Sequence, residues 1–150
     1  MHEHNMHHTA PMTKTRKVFY WLTTGFAALA LLGIGIADLA HAPEMMKGLA
    51  HLGFPLYFAT IIGVWKILGV IAIVTPGLPR LKEWAYAGFF FTLTGAAMSH
   101  GISGDPVGVV LFPLMLLGVV GASWALKPAH GAEFGRFGFV HSEQANMKTA

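Results

Sequence analysis

Lys66 stands near the middle of an apolar run covering residues 57–75, and an ammonium inside hydrocarbon costs about 2.5 kcal/mol or more. A cation at that depth needs an acceptor, water or a task. Its three N–H groups suit it to bind a carbonyl or carboxylate oxygen away from bulk water. Asp38, His51, His100 and Asp105 all fall at one boundary of the apolar segments. A pocket open to that side would bring a carboxylate or imidazole toward a lysine snorkelling outward, so this polar funnel is the candidate site. Thr92 and Thr94 fall at the depth of Lys66 and are expected to accept its hydrogen bonds. The structural alternative is that Lys66 ties helices together, while His100-Gly-Ile-Ser-Gly-Asp105-Pro106 is an ordinary turn.

The elements that must position these residues are four apolar segments, 18–37, 57–75, 84–99 and 107–126. At 1.5 Å per residue most reach roughly 27–30 Å, a bilayer's hydrocarbon thickness; the third needs its flanks, 81–82 and His100, to match it. In the first, Thr24, Ala28, Leu31, Gly35 and Asp38 share one face, and in the second Gly63 and Gly69 flank Lys66 three residues either side. Small residues let helices approach closely, so Lys66 is expected to point between helices. In the third, Ala85, Gly88, Thr92, Gly95 and Ser99 form a stripe expected to face other helices, with Phe89, Phe90, Phe91 and Leu93 mostly toward lipid.

Composition agrees with a membrane setting. Of 150 residues, 54% are hydrophobic and 11% charged, with a mean hydropathy of +0.55; soluble domains carry about 25% charged residues. The net charge of +3 is dispersed along membrane flanks rather than gathered in a patch, which argues against nucleic acid. Lys14, Arg16 and Lys17 precede the first segment, Arg80 and Lys82 lie between the second and third, and Lys127 and Arg136 follow the fourth. The two remaining loops hold Lys47. The positive-inside rule then places both termini and the middle loop in the cytoplasm.

The expected fold is therefore all-α: an integral membrane four-helix bundle, N-in and C-in, over residues 18–126. Residues 1–17 form a disordered head rich in histidine and methionine, and 127–150 a mobile tail whose Phe134, Phe137 and Phe139 are within reach of headgroups. Between the first two spans, Pro43 suits a helix start and Gly53 a stop, with Met45, Leu49 and Leu52 at helical spacing. A short interfacial helix on the outer surface follows. Pro76, Gly77 and Pro79 make the inner turn, and Trp84 and Tyr86 are expected to anchor the third span at the interface. Ala40-His41-Ala42 has the small-x-small form of a processing site, but Pro43 and the length of the apolar stretch favour a retained span.

Several chemistries are excluded. Without cysteine there is no thiolate metal site or ordinary iron–sulfur cluster, and no histidine lies mid-membrane to ligate intrinsic haem. No phosphate-binding loop, zinc-protease helix or nucleophile elbow occurs. His2, His4, His7 and His8 of the head, with Met6 and Met12, are ligand types for copper or zinc, but a loose tract fixes no geometry. We assign no metal.

Leu52-Gly53-Phe54-Pro55-x-Tyr57, Gly63-x-x-Lys66-x-Leu68-Gly69, the run from Pro76 to Phe89, Gly95-Ala96, Ser99-His100 and Gly104-Asp105-Pro106 occur in this order. The chain thereby resembles the DoxX-like membrane proteins over about residues 18–126. The resemblance implies a small four-helix protein of the bacterial inner (plasma) membrane, in a group named for a subunit associated with quinone-linked sulfur oxidation. It carries over Lys66, Glu83, His100 and Asp105 as site positions; Glu83 is equally well read as a first-turn helix charge.

Together these readings give an expected ligand-binding set of Lys66, His100, Asp105, Asp38, Thr92 and Glu83, with catalytic residues unassigned. The expected role is an accessory subunit of a quinone-linked redox system rather than a self-sufficient enzyme. A quinone or similar amphipathic molecule would accept a hydrogen bond from Lys66 or His100. Membrane lipid, redox partner subunits and a second copy are the expected partners. The alternatives are a non-enzymatic assembly protein and a small-solute or proton-coupled transporter.

Overall fold

The computed structural model describes residues 13–128 and contains five helices. They are α1 (Lys14–Leu39), α2 (Pro43–His51), α3 (Tyr57–Val74), α4 (Pro79–Ile102) and α5 (Val107–Leu126). Among the described residues there is no strand. The metal reading of the histidine-rich head and the lipid contacts expected of the tail lie outside the described residues.

Local chemistry accounts for the boundaries. Thr13 caps α1, its hydroxyl accepting from the Arg16 amide, so Lys14, Arg16 and Lys17 are helical rather than part of the head. Pro43 occupies the first turn of α2, where its missing N–H costs nothing. Gly53, Gly77 and Gly104 take positive φ values of 79°, 80° and 75° in the three turns that follow α2, α3 and α4, a conformation open to glycine without strain. His41 does so without being glycine (φ 50°), and its Nε2 lies 3.0 Å from the Thr60 hydroxyl, tying the α1–α2 turn to α3.

The four long helices close a ring of contacts: α1 packs on α3 and α5, and α4 on α5 and α3. A core of Ala27, Ala28, Leu31, Val70, Ile73, Tyr86, Phe89, Leu93, Leu116 and Val120 fills it. Two glycines set the α1–α3 distance, since a Cβ on Gly63 would come within 2.9 Å of both the Gly35 carbonyl and Leu39. The other face of each helix is apolar and exposed, with Trp21, Leu29, Trp65, Phe91 and Met115 all more than half open. Large exposed apolar area of this kind belongs against lipid. Indeed α1, α3 and α5 are long and apolar enough to cross a membrane. Helix α4 has 24 residues, but Arg80, Lys82, Glu83, Ser99 and His100 make it more polar.

On α4 the expected faces hold in part: Phe90 and Phe91 are exposed as expected, but Phe89 and Leu93 are buried. Tyr86, Phe89, Leu93 and Ala97 are its buried residues, while Gly88 and Gly95 are exposed. The reason is complementary bulk: a Cβ on Gly69 of α3 would lie 2.6 Å from the Phe89 ring, so the aromatic fills the space the glycine leaves. Tyr86, expected at the interface, is 5% exposed. Trp84 remains outside, and α2, with no buried residue, lies on the surface.

Candidate functional site

Lys66 reaches along α3 toward the end of α1, where its Nζ donates to Asp38 Oδ2 at 2.7 Å. Asp38 closes the small-residue face of α1, and the Gly35–Gly63 approach brings it beside α3. The side chains are 14% and 5% exposed, so water screens the pair little and each charge depends on the other. Thr92 and Thr94, expected to accept from Lys66, instead bond back to the Gly88 and Phe90 carbonyls of their own helix. A membrane threonine has that backbone acceptor one turn away, and the lysine has a better partner in a carboxylate.

Beside Lys66 a cavity of about 430 Å³ opens between α3 and α4. Phe58, Trp65, Trp84, Phe89 and Thr92 contribute to its wall along with Lys66. Asp38 is not part of the wall, so of the pair it is Lys66 that the cavity adjoins. That size and a largely apolar, aromatic lining with a few polar groups are the marks of a small-molecule site. Ala85 and Gly88 also line it, so these two small residues of α4 leave the groove hollow.

A second polar group lies at the turns joining α4 to α5 and α2 to α3. Asp105 receives His100 Nδ1 at 2.7 Å on one oxygen and His51 Nε2 at 2.8 Å on the other. These hydrogen bonds, His100 first and then His51, hold the Asp105 carboxyl below its ordinary range. The cluster fastens α2 to the start of α5. Among the described residues no group of three or more His, Cys, Asp or Glu is arranged to hold a metal.

Of the expected site residues the structure thus joins Asp38 to Lys66, brings Thr92 to the same cavity, and gathers His51, His100 and Asp105 into a separate cluster. Glu83 is not brought to either. It lies in the first turns of α4, at the opposite end, paired with Lys127 and accepting from Trp124 Nε1 at 2.9 Å. Sequence reasoning missed a third group: Thr24 and Tyr86 both bond to Ser123, at 2.6 and 2.8 Å, across α1, α4 and α5. A lone serine in an otherwise apolar helix was the available signal.

These features define a class, a helical multi-pass membrane protein that buries an ion pair beside an aromatic cavity. The DoxX-like family model matches residues 22–123, and the chain belongs to that family. It is also 33% identical over 88 residues to the fujikurins efflux protein of Gibberella fujikuroi, a match covering 57% of this chain and 17% of that protein's length. No solved structure matches.

Proposed function

We propose that this protein binds a small amphipathic molecule in the α3–α4 cavity, with the Lys66 ammonium as hydrogen-bond donor to its oxygen-bearing head. The ligand enters from the lipid side and leaves its apolar part against Phe58, Trp65 and Trp84. The observation that carries this reading is that Lys66, and not Asp38, lines the cavity. A quinone carbonyl fits such a donor, and the DoxX-like membership supports an accessory role in a quinone-linked redox system of the bacterial plasma membrane. In this reading α4 crosses with α1, α3 and α5 as a four-helix membrane bundle. Lys14, Arg16, Lys17, Arg80, Lys82 and Lys127 mark its cytoplasmic end, which leaves the His51–Asp105–His100 cluster outside. The two clusters divide the work, Lys66 and Asp38 receiving the ligand and the histidine–aspartate cluster holding the outer cover in place.

Native mass spectrometry of the full chain from mild detergent tests this. A quinone-sized adduct is expected on the wild type and not on Asp38→Leu/Lys66→Met, which removes both charges at similar volume. An adduct-free wild type that also fails to take up added quinone contradicts it.

A second reading, transport of a small solute, draws on the name of the Gibberella relative. It predicts Lys66-dependent uptake or efflux in proteoliposomes, and flat traces would remove it.

A further inference from the structure

At the end of the bundle away from Asp38, a groove of about 370 Å³ runs between α4 and α5. It begins at Glu83 and Trp124 and passes Tyr86 and Gly121 to Phe90 and Phe91, about 10 Å along the helix. Phe90, Phe91 and Trp124 are each about half exposed or more, and a Cβ at Gly121 would meet nothing within 4 Å. The groove is therefore apolar, open on its long side and empty at its centre.

Glu83 is the one charged residue of its wall, and cations lie at the same end of the helices. Arg16 of α1 donates to the Ala125 carbonyl at 3.3 Å, which holds the guanidinium at the end of α5. Lys127 follows in the chain, paired with Glu83 and 5.0 Å from the centre of the Trp124 ring. Lys82 stands in the first turn of α4, one residue before Glu83, and burial, followed by the like charge of Lys82, holds the Lys127 ammonium below its ordinary range. Lys127, paired with Glu83, Arg16, tied to the end of α5, and Lys82, next to Glu83 in sequence, thus lie at the same end of the helices as the head of the apolar channel. That arrangement complements a molecule with an anionic head and a hydrocarbon chain.

We propose that the α4–α5 groove binds one anionic phospholipid, its phosphate at Arg16, Lys82 and Lys127 and the start of an acyl chain along Gly121, Phe90 and Phe91. This rests on the membrane reading above and is independent of the ligand in the α3–α4 cavity.

The test is native mass spectrometry of the full chain with equal amounts of phosphatidylglycerol and phosphatidylcholine carrying the same chains. One phosphatidylglycerol is expected to be retained in roughly tenfold preference. Lys82→Gln should lower that preference about fivefold. Gly121→Leu, whose Cβ would meet nothing within 4 Å and whose side chain enters the groove with no change of charge, should release the lipid. Equal retention of the two lipids overturns the proposal. So does a preference untouched by Gly121→Leu, which would mean charge alone, or displacement by inorganic phosphate, which would mean a free-anion site. A chain that fractionates with the aqueous phase would contradict the membrane reading itself, whereas one that inserts but shows no preference removes this site alone.

Discussion

Asp38 and Lys66 place a charge of each sign beside a cavity, whereas Thr24, Tyr86 and Ser123 place neutral hydroxyls where Thr24 and Ser123 expose nothing. Both groups join helices, the first α1 to α3 and the second α1 to α4 and α5. Both are satisfied, and among the described residues no buried side-chain nitrogen or oxygen lacks a partner. Their costs differ, however. A hydroxyl network needs little desolvation and ties helices together at low risk. An ion pair loses several kcal/mol per ion in desolvation and is often matched in stability by an apolar pair of similar volume. The hydroxyls are accounted for by packing alone, whereas the charged pair is the group proposed above to receive a ligand.

The largest effect that could break this contrast is expected at Asp38. Asp38→Ala strands the Lys66 ammonium and should cost about 3–5 kcal/mol, read as a lower unfolding midpoint in detergent, while Asp38→Leu/Lys66→Met should recover most of the loss. A double variant as unstable as the single one would make the pair structural. At the neutral group, Ser123→Ala leaves the Thr24 and Tyr86 hydroxyls without their shared partner, at about 1–3 kcal/mol. Were that loss larger than at Asp38, the comparison would be inverted.

The smallest expected effect sharpens the contrast from outside. Asp105 is held below its ordinary pKa of 3.8 by His100 and His51, so its contribution is fully present above that value and is lost as pH falls through the lower folded one. Hydrogen exchange in α2 should therefore stay constant from neutral pH to about 4 and rise below it, once intrinsic rates are divided out. Asp105→Asn should give raised exchange at every pH. Exchange in α2 that ignores both changes would show that the cluster does not hold this helix.

The periodicity of small residues on α1 marked the face that the structure buries, because that helix packs by close approach and side-chain size alone decides its orientation. On α4 the same rule held for Phe90 and Phe91 and failed at Phe89, which enters the space above Gly69. Bulk on one helix was answered by a gap on another, and a single segment does not display that pairing. Lys66 was conspicuous by depth, and Asp38 was placed near enough to serve it. The choice between Asp38 and Thr92 depended on how far the Gly35–Gly63 contact draws α1 onto α3, a property of two segments together. Glu83 was grouped with the other site residues by the family resemblance, and chain direction puts it at the opposite end.

In the proposed function the charged group binds the ligand and the neutral one does not. That division is tested most directly by titrating a short-chain quinone into the full chain in lipid nanodiscs and following tryptophan emission, since Trp65 and Trp84 line the cavity. Saturable quenching is predicted for the wild type and for Ser123→Ala, with only the linear rise of lipid partitioning for Asp38→Leu/Lys66→Met. One curve shared by all three proteins would contradict it.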